Sequence, residues 1–281
     1  DLKKKISKKT KCIIVVHLGG SAAEIDSIIK IAKKLKIKII EDTSQAPFIK
    51  YKNKFLGTYG DVGVFSFTET KTITSGEGGI LITNSNNLAQ KARLIRNHGE
   101  AVADKNWSDK KLINIIGQNL RLTEIQASIL IEQLKDLEFR NKQRIKNYQY
   151  LKNNLKEIKN LKQPTTIPNS VYTPYIVKWR WQKSQKLKIS RDQLCNKLNK
   201  LGIPVTKGYG KLLHENEIFV RKIAYGKKNF PWSLSKKKYY YGRGTLKKSE
   251  AINKEFIWFK YINYPNTLKE MKKVVKAFKK S

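Results

Sequence analysis

The sequence predicts an α/β protein with a mostly parallel sheet flanked by helices, followed by a smaller α+β domain. Three observations carry that prediction. In the first hundred residues, short β-branched runs alternate with stretches of helical periodicity. A single long helical pattern then runs from Thr123 to about Leu155. Beyond it, Pro164 and Pro168 break the pattern, and strand-like and helix-like segments mix. The expected division is residues 1–150 as a larger domain that includes the long helix, and 151–281 as a smaller one.

CIIVVHL (12–18) is an apolar run that stops at Gly19-Gly20 and reads as a buried strand. Ser21 with Glu24 forms a capping-box pattern for the helix that follows. Ile25, Ile28, Ile29, Ala32 and Leu35 give that helix its apolar face, with lysines opposite. IKII (37–40) is the next strand and runs directly into Glu41-Asp42. Strand, helix and strand of these lengths make a βαβ unit with a parallel pair. DVGVFSF (61–67) and GILIT (79–83) are further strands, and Gly76 to Gly79 between them reads as a tight turn. Asn86 to Asn97 is a helix closing at His98-Gly99. In the second part, YTPYIVKWRW (172–181) reads as an aromatic strand, with helices at Ser190–Leu201 and Leu268–Lys279.

A 40% hydrophobic content over 281 residues rules out a disordered chain. No apolar stretch approaches the roughly 20 residues needed to span a bilayer. Two distant cysteines, Cys12 and Cys195, suit a reducing cytoplasm rather than a disulfide framework. The net charge of +37 would attract polyanions. Its lysines, however, are spread along the whole chain among abundant Ile and Asn, as in organisms with AT-rich genomes, whereas a nucleic-acid surface concentrates them. The segment KKKYYYGRGTLKK (236–248) has residue types that stack on single-stranded bases, but such a stretch is more often a solvated loop.

Ligands of parallel α/β sheets bind beyond the carboxyl ends of the strands. Asp42 ends one strand, Gln45 follows it, Ser66 ends another, and Lys71 lies five residues further on. Taken singly each is ordinary: a strand-terminal Asp usually forms a turn, and a lysine in so basic a chain is usually solvated. His17, within the first strand, reads as a satisfied core residue that could also neighbour a ligand.

Together, EDTSQA (41–46), GTYGDVGVFSFTETK (57–71), TSGEGGILIT (74–83), RLIRNHGE (93–100) and GQNLRLTEIQASILIEQL (117–134) closely resemble the DegT/DnrJ/EryC1/StrS sugar aminotransferases. The resemblance is strong over residues 12–150 and looser beyond. It implies the aspartate-aminotransferase fold type I and pyridoxal 5′-phosphate as cofactor. Such a cofactor demands a lysine for its aldehyde, a carboxylate for its pyridine nitrogen and donors for its phosphate. The resemblance makes Lys71 the Schiff-base lysine, Asp42 the partner of the pyridine nitrogen, Gln45 a neighbour of the ring and Ser66 a phosphate ligand. Asn119 matches a residue reaching the phosphate of the neighbouring subunit, which implies a homodimer with shared sites. Arg121 matches the next fixed position, where it contacts ligand or supports the loop. Relatives that replace the lysine by histidine are dehydratases, so Lys71 points to amino transfer from glutamate or glutamine to a keto-sugar or keto-cyclitol. The segment GYGKLLHENEIF (208–219) leans toward the branch that aminates keto-inositols and the precursor of 3-amino-5-hydroxybenzoate.

The family also carries an upstream small-residue turn and a ring-stacking aromatic residue. Neither is recognisable before Cys12, so the sequence is expected to be N-terminally incomplete. Two other readings follow from these features: a catalytically inactive relative serving as a binding or regulatory module, and a basic nucleic-acid-binding protein.

Overall fold

The computed structural model describes residues 1–100, 114–182, 189–226 and 228–281. Two compact units form. One comprises Asp1–Ile145 with Thr165–Tyr175, the other Lys146–Pro164 with Ile176–Ser281.

The first unit opens with a short helix, α1 (Leu2–Lys5), then β1 (Cys12–Val16), α2 (Ile25–Lys34) and β2 (Lys38–Asp42). A small hairpin follows, β3 (Lys50–Tyr51) with β4 (Lys54–Phe55), and then β5 (Val62–Ser66), β6 (Gly79–Ile82) and α3 (Asn86–Arg96). The sheet order is β1-β2-β5-β6; the first three strands are parallel and β6 runs antiparallel to β5. Ile13, Val15 and Ile39 alternate inward and pack with Ile25, Ala32 and Ile37 into a core beneath α2. The opposite face of β1 leaves Ile14 and Val16 exposed.

The Ser21–Glu24 capping box expected from the sequence does not form. A 3-10 turn at Leu18–Gly20 takes up the residues after β1, and α2 begins only at Ile25 with Glu24 at its cap position and no side-chain cap bond. Gly19 and Gly20 both have positive φ, which turns the chain away before Ser21 can cap. α3 closes as expected, His98 and Gly99 leaving the helix with positive φ as the Gly99 N–H returns to Leu94 O, and at its start the Ser85 hydroxyl accepts the Leu88 N–H.

The long helix α4 (Glu124–Leu155) belongs to the first unit up to Ile145 and to the second from Lys146. The second unit adds β7 (Leu161–Lys162), β8 (Val177–Trp181), α5 (Arg191–Lys200), β9 (Val205–Thr206), α6 (Glu217–Val220), α7 (Lys247–Asn253), β10 (Phe256–Phe259) and α8 (Leu268–Lys280). Its antiparallel sheet, ordered β7-β8-β10-β9, buries Trp179, Ile257 and Phe259. Trp179 stacks on Phe259 and meets Phe278 of α8 edge-on. Ser190 caps α5 and Thr267 caps α8, each in a capping box.

The aromatic strand is shorter than expected. Only 177–181 pairs in the sheet, while 165–175 returns to the first unit as a strap. Pro174 has no N–H for a ladder. The Thr173 and Tyr175 N–H groups bond instead to Gly20 O and Gly19 O, both at 3.2 Å.

Gly63 marks the tightest approach within the parallel sheet. A Cβ there would lie 2.1 Å from Gly57 O. Gly63→Ala is expected to lower stability by about 1–3 kcal/mol, as overpacking does. An unchanged urea midpoint would show that the 57–60 turn yields freely.

Candidate active site

β1, β2 and β5 end at the same sheet edge. Their register pairs Val16 with Asp42 and Asp42 with Val64, so these three side chains share a face. Ser66, two residues beyond Val64, shares it as well. This is the face opposite α2. Asp42 and Ser66 thus sit on one face at the carboxyl ends of neighbouring parallel strands, both half-buried.

Gln45 follows in the turn after β2. The Ser44 N–H bonds to Asp42 Oδ1 at 3.0 Å, and Gln45 Oε1 accepts the Gly19 N–H at 2.8 Å. The loops after β1 and β2 are thereby joined.

Lys71 lies on the connection from β5 to β6. Phe67 and Ile73 of that connection are buried with Leu130 and Leu137 of α4. Gln133 accepts the Thr74 N–H at 3.0 Å and donates to Thr74 O at 2.6 Å. The loop carrying the half-buried Lys71 is therefore clamped by a helix, and the lysine amine lies 5.5 Å from the centroid of the Tyr175 ring.

Asn119 lies on the segment leading into α4. It is exposed on a segment bridged to Asn97, where Arg121 Nη1 donates to Asn97 Oδ1 at 2.6 Å. Arg121 supports the loop here, one of the two roles considered for it.

Behind the sheet, on the face beneath α2, lies a group the sequence did not single out. Glu41 is fully buried. Its Oε1 accepts the Tyr59 and Gly60 N–H groups, both at 2.6 Å, and its Oε2 accepts the Gly57 N–H at 2.9 Å and meets His17 Nε2 at 3.0 Å. His17 Nδ1 accepts the Ala23 N–H at 3.1 Å, so the ring proton sits on Nε2 and is donated to Glu41. Burial opposes the charge, yet the bonds from His17, Gly60 and Gly57 outweigh it and hold the carboxyl below its ordinary value of 4.5. His17 is a core residue, on the face away from Asp42. His98 closes α3, and His214, buried, pairs with Glu250 in the second unit at 3.0 Å. Among the described residues no group of His, Cys, Asp and Glu has the arrangement to hold a metal ion. No helix is long and apolar enough to cross a membrane.

Sequence reasoning missed Glu41, Tyr175 and Arg144. Glu41 was findable: period-2 alternation from Asp42 turns it to the opposite, buried face. Tyr175 and Arg144 had no local signal: a distant strap brings one beside Lys71, and the other, in a polar run with Arg140, is buried only because that strap's Pro174 O accepts its Nη1.

The model of the DegT/DnrJ/EryC1/StrS aminotransferase family matches residues 1–278. The chain belongs to this family. It is 41% identical over 135 residues to GDP-perosamine synthase of Escherichia coli O157:H7, covering 48% of the chain and 36% of that protein. It is 30% identical over 234 residues to L-glutamine:2-deoxy-scyllo-inosose aminotransferase of Streptoalloteichus tenebrarius, covering 80% of the chain and 55% of that protein. The X-ray structure of an aminotransferase from Psychrobacter cryohalolentis superposes with TM-score 0.81 at 26% identity, over 99% of the chain and 70% of its own length. The chain thus spans about a third to three fifths of the curated relatives it matches. The fold is that of the fold type I aminotransferases.

Because the folded value of Glu41 lies below its ordinary one, its contribution to stability is complete above pH 4.5 and is lost as the pH falls through the folded value. Glu41→Gln should remove that acid-limb dependence and lower stability at pH 7 by about 3 kcal/mol or more, the scale for breaking a buried charged network. Parallel wild-type and variant curves between pH 3 and 7 would contradict the ionised assignment.

Proposed function

We propose that this chain carries the cofactor-binding lysine of a pyridoxal-phosphate-dependent aminotransferase acting on a keto-sugar, nucleotide-linked in the relatives, or on a keto-cyclitol. The reading is carried by one observation: Asp42 and Ser66 share a sheet face at adjacent strand ends, with Lys71 on a clamped loop beyond the same edge.

The donor set fits that cofactor. Asp42 would hold the proton on the pyridine nitrogen, the Ser66 hydroxyl would donate to the phosphate, and the Gln45 amide would lie beside the ring. When bound, pyridoxal phosphate supplies an aldehyde for an amine and a ring that withdraws electrons from the bond to be broken. Lys71 has the amine to attach the cofactor and, once released, to carry a proton between substrate and cofactor carbon. A lysine at this position supports amino transfer over dehydration. Glutamate or glutamine is the donor we assign, as the name of the inosose aminotransferase illustrates for that relative.

We assign Asn119 to the phosphate of a partner subunit in a homodimer. Its exposure supports this, as do the apolar neighbours Ile116, Leu120 and Ile125, exposed by 97%, 58% and 75%. A cytoplasmic location accords with two free cysteines.

The test is to incubate the purified chain with pyridoxal phosphate, reduce with borohydride and map the modified peptide. A pyridoxyl group on Lys71 is expected, and Lys71→Ala should abolish it. Asp42→Ala should weaken cofactor binding about tenfold or more, as loss of a hydrogen bond to a charged group does. Label on scattered lysines, unchanged by Lys71→Ala, would reject the assignment.

A further inference from the structure

The strap 165–175 has a role beyond closing the first unit. Its backbone is stitched at both ends of a short path. Lys52 N–H donates to Asn169 O and Val171 N–H to Lys50 O near the hairpin, while Thr173 and Tyr175 donate to the Gly20 and Gly19 carbonyls. The fit at Gly20 is exact enough that a Cβ there would lie 1.8 Å from Thr173 O, and its φ of +88° already favours glycine. Gly19 is gripped from both sides, its N–H by Gln45 and its carbonyl by Tyr175.

A second anchor comes from α4. Arg144 is 6% exposed, and its Nη1 donates to Pro174 O at 3.2 Å. Burial lowers this guanidinium to about 10, with the neighbouring Tyr175 pulling the other way and Arg140 adding to the fall. A buried cation is costly, and here it is spent on the backbone carbonyl next to Tyr175. These contacts fix one ring, and the ring faces the Lys71 amine at 5.5 Å, inside the range of cation–π attraction.

We infer that Tyr175 is a positioning residue whose ring provides the resting place of the Lys71 amine whenever that amine is not joined to the cofactor. The role rests on the assignment of Lys71 made above. A lysine that must detach and return has a four-carbon stem to wander with, and the ring face gives its amine one place to rest. The hydroxyl is not needed for this; the ring face is.

The test uses the chain without cofactor, so it stands apart from cofactor labelling. Acetic anhydride at limiting dose, with peptide mapping, gives the acetylation rate of Lys71 relative to the other lysines in the same digest. Tyr175→Phe keeps the ring face and should leave that relative rate unchanged. Tyr175→Leu should raise it about two- to fivefold, the scale of a cation–π contact at a partly exposed site. Pentafluorophenylalanine installed at position 175 keeps the shape of Phe and reverses the charge distribution of the ring, so it should act like Leu even if the Leu variant folds poorly. Equal Lys71 rates for Phe and pentafluorophenylalanine would overturn the inference. Loss of the Lys71 pyridoxyl label in wild type, with these rates behaving as expected, would instead remove the cofactor reading and leave the lysine–ring contact standing.

Discussion

A single buried carboxylate organises the first unit. Glu41 collects three backbone N–H groups from residues 57–60 and a fourth donor from His17, and every one of these partners belongs to a different part of the sheet edge from Glu41 itself. The turn 57–60 feeds directly into β5, so its attachment to β2 sets where β5 begins. Gly63, paired with Glu41 in the parallel register, leaves room for the turn to pack over the strand. An unpaired buried carboxylate would be strongly destabilising, whereas one saturated with donors is tolerated and directional. The consequence appears on the other face. With β2 and β5 locked in register, Asp42 and Ser66 are delivered to one face at neighbouring strand ends.

The two faces of β2 thus divide the labour. One side chain, Glu41, faces the core and holds structure; the next, Asp42, stands half-buried on the opposite face of the sheet. That division follows from the two-residue repeat of a strand, and it is why adjacent acidic residues in one sequence have unrelated environments. Lys71 is placed by different means. Its loop leaves the sheet and is returned by the paired bonds between Gln133 and Thr74 and by packing of Ile73 under α4.

Much of this was legible in the sequence because it depends on local periodicity. β1, α2, β2, β5 and α4 each carry a run long enough for the apolar repeat to declare itself, and His98-Gly99 marked the end of α3. What was not legible depends on distant contacts. Ser21 has the residue type of a cap, but the glycine pair before it bends the chain into a 3-10 turn first. Residues 172–175 have strand composition, yet the Thr173 and Tyr175 N–H groups find Gly20 and Gly19, about 150 residues earlier in the chain, instead of the sheet they precede. The site was readable as an ordered set of motifs; Tyr175 was not, because nothing near it in sequence points to Lys71. The high positive charge, by contrast, drew attention without explaining anything in the site, whose geometry rests on hydrogen bonds and packing.

The residues assigned to the site converge on where one ring would lie. A crystal structure of the chain with pyridoxal phosphate measures it directly. The pyridine nitrogen is expected against the Asp42 carboxylate, the phosphate at the Ser66 hydroxyl and the aldehyde carbon joined to Lys71 Nζ. A cofactor held elsewhere on the chain, or an Asp42 and a Lys71 that cannot reach the same ring, would contradict it.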